Sequence, residues 1–586
     1  MENKFYTIER NAQIALYLLK AKGIRKVVAS PGTTNIAIVG SMMHDSWFEM
    51  YSAADERSAA YIACGLAAES GEPVVLSCTG ATASRNYMPG LTEAYYRKLP
   101  VIALTSALNL ARSGHLQPQF LDRSEQPADV VKYSVQVPAI ESPNQEWECI
   151  TKINEALLEA TRHGGGPVHI NLTTQTELYN FSIKELPSVR NIERYTLKSS
   201  MPSLPSVKKI AIFVGSHRPF TEDETNAIDA FCASNDAVVF CDHTSGYYGK
   251  YRVQYSIVAV QKVPDENIEI DLLIHIGEVS GDYYSLSKVG HAKNVWRVNP
   301  DGEVRDYFKK LTKVFEMDEI DFFSHYTKPG INKSDYLQSC QTKIADVYSG
   351  LGELPFSNMW AVSQIAPKLP ADAVVHFGIL NSLRSWNFFE LPQGVRSYCN
   401  VGGFGIDGIL STAIGASLVH PDKPYFCFVG DLAFFYDMNS LGNRHVGKNL
   451  RIMLINNGKG TEFRLHTHPG SRFGEDTDLY IAAGGHYGNK SKDLVRHYAE
   501  DLGFSYLSAS NKEEFQSAMD QFLDLDNNDQ SLIFELFTTN NQEDEALTAI
   551  MEIKQNKLNV FKEKAKETIK SIVGDKVINT INVLRK

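Results

Sequence analysis

Residues 425–457 read YFCFVGDLAFFYDMNSLGNRHVGKNLRIMLINN. Two apolar runs, 425–429 and 451–455, end in polar turns: Gly430-Asp431-Leu432 after the first, Asn456-Asn457 after the second. Short apolar runs bounded by turn residues read as buried strands. The C-terminal ends of such strands are where α/β sheets bind ligands. Asp431 and Asn457 stand 26 positions apart (457 − 431). A carboxylate and an amide oxygen on neighbouring strand ends can share one hard cation. Magnesium takes such oxygen ligands and completes its shell with phosphate oxygens. Gly430 lets the backbone approach a phosphate closely. A lone Gly-Asp is an ordinary turn; the paired arrangement is a site.

The same alternation runs through the rest of the chain. The first third predicts a helix over 11–22 and a strand over 26–29 ending in Ser30-Pro31-Gly32-Thr33-Thr34. A small-residue helix follows at 57–68, with strands at 73–78 and 101–105. The Ser/Pro-rich stretch 178–208 reads as a linker. The middle third predicts strands at 209–214, 237–241, 271–276 and 294–298. Its first turn, Val214-Gly215-Ser216, lacks the later glycines of a dinucleotide fingerprint. A break falls at 327–334, and the last third restarts with a strand at 373–377. Helices alternating with buried strands give three Rossmann-like α/β domains with mostly parallel sheets, at 1–185, 186–345 and 346–545. The tail 546–586 carries Leu547, Met551, Leu558, Phe561, Ala565, Ile569 and Ile572 at spacings of three, four or seven, which predicts an amphipathic helix. Lys554, Lys562, Lys566 and Lys570 lie between them.

With 586 residues, 43% of them hydrophobic and 22% charged, the chain has a globular composition. A net charge of −11 argues against a nucleic-acid partner, which needs a basic face. The basic tail packs on the body or on a neighbouring subunit; covering the active site or touching an anionic membrane surface are the alternatives. The eight cysteines form no CxxC pair and read as free thiols in a reducing compartment. The N-terminus lacks an apolar signal region, and no stretch reaches the roughly 18 apolar residues of a membrane span. A soluble cytoplasmic protein is expected.

The Gly-Asp-x and Asn-Asn pattern resembles the motif of thiamine-diphosphate (ThDP) dependent 2-oxo acid decarboxylases and carboligases. The segments Asn400-Val401-Gly402-Gly403-Phe404-Gly405-Ile406-Asp407-Gly408 and Gly430-Asp431-Leu432-Ala433-Phe434-Phe435-Tyr436-Asp437 are similar to the SEPHCHC synthase branch of the menaquinone pathway. Ser30-Pro31-Gly32, Asp55-Glu56-Arg57 and Thr79-Gly80 match the family's N-terminal domain in order and spacing. The resemblance extends to about Glu545 and is weak in the middle domain. It implies ThDP and Mg2+ as cofactors. Glu56 would hydrogen-bond N1′ of the aminopyrimidine and favour the tautomer that deprotonates the thiazolium C2. Ile406 falls under the bend of the cofactor, next to Gly405. Asp431 and Asn457 would bind magnesium by side chain and Lys459 by its carbonyl. Asn381, Ser382, Gly430, Leu432 and Ala433 match diphosphate-lining positions, and Pro31, Gly32, Thr79 and Asn86 belong to the cofactor set. The family places its cofactor between two subunits, so a homodimer or a dimer of dimers is implied.

The substrate positions depart from that branch. Its arginine after the Pro-Gly turn is here Thr34, beside Thr33; its Asn-Arg-Gly arginine is Val401; a third aligns with Trp386, with Arg384 two residues earlier. Arginine forks suit carboxylate substrates, so their loss points to a rebuilt acceptor pocket. Glu462 and His466 fall where relatives present apolar residues, and Phe463 between them is a further substrate candidate. His466, His115 and Gln117 are the candidates for proton transfer. The reaction expected is loss of carbon dioxide from a 2-oxo acid donor, followed by transfer of the acyl carbanion equivalent to a proton, a carbonyl or another electrophile. A genuine SEPHCHC synthase, taking 2-oxoglutarate and isochorismate, and a non-catalytic ThDP-binding regulator are the alternatives.

Overall fold

The computed structural model describes residues 5–80, 82–120, 122, 125–174, 179–262, 268–486, 491–524, 529–555 and 557–558. The chain divides into two compact units. One holds Met1–Met201 with Pro300–Glu316, the other Pro202–Asn299 with Met317–Lys586.

The first unit contains a six-stranded sheet: β1 (Lys26–Ala29), β2 (Glu49–Ser52), β3 (Val74–Thr79), β4 (Val101–Ala107), β5 (Tyr133–Val137) and β6 (Val168–Thr173). Its order is β2-β1-β3-β4-β6-β5, with every pairing parallel. Helix α1 (Glu56–Ser70) lays Ala59, Ala60, Ala63, Cys64 and Ala67 against the core. Asp55 caps it by accepting the Arg57 N–H at 2.9 Å, and Gly71 ends it at φ +68°. Helix α2 (Met88–Arg97) packs on α1 through Gly90.

The second unit carries two sheets. The strands β7 (Ile210–Val214), β8 (Ala237–Cys241), β9 (Arg252–Val253), β10 (Leu272–Ile276) and β11 (Asn294–Val298) are parallel in the order β9-β8-β7-β10-β11. The other sheet comprises β12 (Val374–Phe377), β13 (Arg396–Cys399), β14 (Tyr425–Gly430), β15 (Leu450–Asn456), β16 (Ser505–Ala509) and β17 (Leu532–Phe537). Its order, β13-β12-β14-β15-β17-β16, repeats the permutation of the first unit's sheet. Five of six residues in β14 and six of seven in β15 are buried, because helices cover both faces of a parallel sheet. That is why these strands read as unbroken apolar runs.

Strand order fixes the place of the site. From β12 the chain steps one way to β13, then crosses to the other side for β14, so the loops after β12 and β14 diverge at a topological switch point. The register pairs Phe377 with Phe428 and Gly430 with Ile455. Residues 378–382, Asp431 and Asn457 therefore leave the sheet at one edge.

Two expectations are corrected. The stretch expected as a linker contains Phe181–Ile183, antiparallel to Tyr6–Thr7, and Glu193–Thr196, parallel to Leu311–Glu316. Pro300–Glu316 groups with the first unit. The C-terminal helix begins at Asn540, because Thr539 and Gln542 form a capping box, so its first turns belong to the sheet domain. Phe561, Ala565, Ile569 and Ile572, with the lysines from Lys562 onward, lie outside the described residues. Among the described residues no helix is long and apolar enough to cross a membrane.

A Cβ on Gly90 would stand 2.4 Å from the Ala60 Cβ. Gly90→Ala should therefore destabilise the fold by about 1–3 kcal/mol. Urea denaturation reads this as a lower midpoint; an unchanged midpoint would contradict the packing beneath the Glu56 helix.

Candidate active site

Helix α3 (Asn381–Asn387) follows β12, α4 (Ile409–Ser417) follows β13, and α5 (Asp431–Asp437) starts directly from β14. Leu380, between β12 and α3, is held at φ +60° and ψ −118°. A non-glycine residue there costs about 1–3 kcal/mol, and such strain gathers at ligand clamps. The Asp437 carboxylate, at the end of α5, accepts the Ser411 N–H at 2.6 Å and thereby caps α4. That bond fixes the loop carrying Ile406, which packs on the core and faces the cleft.

The cleft at the switch point has a volume of about 180 Å³. Asn381 and Ser382 line it from α3; Gly430, Asp431, Leu432 and Ala433 line it from the end of β14. Asn457, Lys459, Glu462 and Phe463 close it from the segment after β15. Gly405 stands one residue before Ile406 but does not itself line the cleft.

Asp431 is 4% exposed. Its carboxylate accepts three backbone N–H groups, from Leu432 at 2.7 Å, Gly458 at 2.6 Å and Asn457 at 3.1 Å. Burial outweighs these bonds and pushes its pKa up to about 6. The Asn457 Oδ1 beside it is buried without any hydrogen-bond donor. The Lys459 ammonium is spent on Asp478 at 2.5 Å, and its carbonyl accepts the Thr461 N–H at 2.8 Å, which leaves that oxygen a second lone pair. A buried carboxylate, an orphaned amide oxygen and a carbonyl are hard-oxygen donors, and they fit magnesium bound together with a phosphorylated ligand. Among the described residues no cluster of three or more His, Cys, Asp or Glu could hold a metal. A site of this kind has only one such ligand, so the two observations agree.

In the first unit, the turn after β1 and the end of β3 occupy the corresponding switch point. A Cβ on Gly32 would meet the Thr79 Cβ at 3.0 Å. Pro31 and Thr33 are exposed there. Thr34 is buried and donates to the Ser106 carbonyl at 2.6 Å, so its hydroxyl is consumed inside the fold. That corrects its placement as a substrate residue. Glu56 opens α1, half-buried, and accepts from Asn86 Nδ2 at 3.2 Å. His115 and Gln117 are exposed just past the turn Leu110–Arg112.

Three further candidates fall elsewhere. Trp386 is fully buried, its ring packed on Phe377 and Phe428, so it supports the sheet and is not part of the cleft wall. Val401 is 3% exposed and lies against Gly281. His466 has both ring nitrogens engaged, Nδ1 with Asp544 at 2.8 Å and Nε2 with Lys262 at 3.2 Å, and lines neither the cleft nor its neighbouring cavity. Spacing along the chain could not show that Asp544, on the C-terminal helix, holds this imidazole.

Arg384 and Glu462 face each other. The guanidinium donates to both carboxylate oxygens, at 3.1 and 2.6 Å.

Among the lining residues the sequence did not mark is one buried carboxylate. Glu543, on helix α6 (Asn540–Met551), is 7% exposed and accepts the Asn358 N–H at 2.9 Å. Burial pushes its pKa up to about 7. The acidic run Gln542-Glu543-Asp544-Glu545 reads as a solvated helix start, which hid it.

The comparisons agree with this geometry. The family described as thiamine pyrophosphate enzyme, N-terminal TPP binding domain, matches residues 10–126. The corresponding C-terminal TPP binding domain matches 382–535. The chain belongs to the thiamine pyrophosphate enzymes. It is 32% identical over 559 residues to the 2-succinyl-5-enolpyruvyl-6-hydroxy-3-cyclohexene-1-carboxylate synthase of Bacteroides thetaiotaomicron, covering 92% of this chain and 97% of that one. The enzyme of the same name from Phocaeicola vulgatus is 31% identical over 553 residues, covering 91% and 96%. That from Christiangramia forsetii is 28% identical over 578 residues, covering 92% and 97%.

The raised pKa of Glu543 means that the folded state holds its proton more tightly than the unfolded chain. Its stabilising contribution is full below the ordinary value of 4.5 and is lost as pH rises through about 7. Glu543→Gln should flatten the fall in unfolding free energy between pH 4.5 and 8 by about 3 kcal/mol in cofactor-free protein. Denaturation series at both pH values measure it; parallel wild-type and variant curves would show that Glu543 ionises normally.

Proposed function

We propose that this protein is a ThDP- and Mg2+-dependent enzyme that decarboxylates a 2-oxo acid and passes the acyl carbanion equivalent to a carbonyl, another electrophile or a proton. The observation that carries the reading is the orphaned Asn457 Oδ1 beside the buried Asp431, at the switch point of a thiamine pyrophosphate enzyme sheet.

When bound, ThDP supplies an electron sink for the pair released as carbon dioxide leaves. The chain's own residues do the rest. Asp431 and Asn457 hold the metal by side chain, and Lys459 by its carbonyl. Asn381, Ser382, Gly430, Leu432 and Ala433 bind the diphosphate. Pro31, Gly32, Thr79 and Asn86 form the pyrimidine side, and Glu56 holds a proton at N1′ of that ring. Ile406 would support the bound cofactor, and the apolar cleft wall around it would exclude water. The donor's bond to its carboxylate breaks; a new bond forms to the acceptor carbon, and the acceptor oxygen takes up a proton. His115 and Gln117 are the groups assigned to that proton.

Self-association as a homodimer or dimer of dimers is part of this reading. Tyr61 and Ile62 stand 48% and 44% exposed on α1, and Leu418 and Val419 46% and 68% exposed after α4, apolar surface that a second copy would cover. All eight cysteines are free, which supports a reducing, cytoplasmic setting.

A second reading, that the chain performs the reaction named for its Bacteroides relative, is supported by their shared identity over most of both chains. Incubation with 2-oxoglutarate and isochorismate separates the two, since formation of the succinylated product would favour the second.

Carbon dioxide release from a panel of 2-oxo acids tests the main reading. Wild type should turn over at least one, and Glu56→Gln should lower kcat by about 10²–10⁴-fold. Binding of ThDP without turnover of any acid would favour a regulatory homologue instead.

A further inference from the structure

A second cavity, of about 230 Å³, adjoins the cleft and shares Leu380 and Glu462 with it. This is slightly below the roughly 300–1,000 Å³ of typical small-molecule sites. Its wall also includes Asp282 and Tyr284, with Arg384 and Asn387 from α3.

The charges in this wall are unusual for a site meant to bind an anion. Arg384 is its one cation among the described residues, and that guanidinium is already occupied. Both Glu462 oxygens take it in a fork, and Asn381 Oδ1 accepts a further bond from it. The Tyr284 hydroxyl is another partner. The two side chains are only 15% and 18% exposed, so water screens the pair weakly. On the cleft side, Lys459 is paired with Asp478. A carboxylate entering the second cavity would meet Asp282 and Glu462 with no unpaired cation to receive it.

Two N–H donors remain without an acceptor: the neutral Asn387 amide, and one N–H of the guanidinium whose charge Glu462 already balances. Asn387 is 2% exposed, and its Nδ2 has no acceptor. The Arg384 Nε is likewise buried without one. Buried donors left unsatisfied cost about 1–3 kcal/mol each, and native structures rarely keep them so. Both belong to side chains that line this cavity, where oxygen atoms of a ligand can act as acceptors. The Glu462 carboxylate can in turn accept from ligand hydroxyls.

We propose that the second cavity receives the acceptor, that this acceptor is an uncharged, hydroxyl-bearing carbonyl compound of the keto-sugar kind, and that Glu462 determines this specificity by occupying the arginine fork. The role as acceptor site rests on the carboligase reading above; the ligand class rests on the wall itself. Removing the Glu462 charge releases Arg384 and turns the cavity into a carboxylate site.

Saturation-transfer NMR on the full-length protein tests this without turnover. The probes are succinate, a plain dicarboxylate, and dihydroxyacetone, glyceraldehyde and fructose as neutral hydroxylated carbonyls. Wild type should bind at least one neutral probe and give no succinate signal. Glu462→Gln should gain succinate binding by on the order of tenfold or more, and Glu462→Gln with Arg384→Gln should lose that gain. Arg384→Gln alone, which serves even where the glutamine variant misfolds, should leave succinate unbound. Succinate bound by wild type and lost in Arg384→Gln would overturn the proposal, as would no gain in a folded Glu462→Gln or a gain that survives the double substitution. Absence of every neutral probe from wild type would overturn the ligand class. A failure of decarboxylation would leave these binding results standing, so the two readings fail separately.

Discussion

A carboxylate buried at the end of a parallel strand carries its charge at a desolvation cost that positive charge beside it offsets. Asp431 is in that position. Three backbone N–H groups converge on it, yet burial still holds its pKa near 6. Most of the C-terminal sheet domain serves to put it there. Sheet order opens the switch point, β14 ends on Gly430 so that α5 can begin at once, and β15 delivers Asn457 with its amide oxygen free. A divalent cation with a phosphorylated ligand would resolve the electrostatic conflict, and the thiamine pyrophosphate family supplies the phosphorylated ligand.

The same sheet permutation occurs in both units, although their sequences show no repeat. Each switch point carries a different half of the chemistry. In the first unit it presents an exposed Pro31-Gly32-Thr33 turn, with Glu56 and Asn86 hydrogen-bonded to each other on nearby helices. In the second it presents a buried oxygen-donor set. One topology thus gives a half of exposed hydrogen-bonding groups and a half of buried oxygen donors, and only the local turn residues decide which.

The strands were legible because a sheet covered on both faces must be apolar without interruption; β1, β8 and β11 fall on the residues that pattern marked. The oxygen-donor pair was legible because Asp431 and Asn457 follow adjacent strands at a fixed separation. What escaped depended on contacts remote in sequence. Glu543 looked like a solvated helix start until the capping box at Thr539 turned it inward. His466 had the right residue type, but Asp544 and Lys262 hold both its nitrogens. Trp386 aligned with a substrate position, yet it lies on the inner face of a short helix whose outer members, Asn381 and Arg384, face the cavities. The Arg384–Glu462 pair spans 78 positions, and neither residue alone announces the other.

The central claim is that Asp431 and Asn457 bind a divalent cation that anchors ThDP. Titration of ThDP followed by tryptophan fluorescence, with magnesium and then with a chelator, tests it most directly. The account predicts saturable binding that needs magnesium and is weakened by on the order of tenfold or more in Asn457→Ala. Equal affinity with the chelator present, or an Asn457→Ala protein that binds as wild type does, would contradict it.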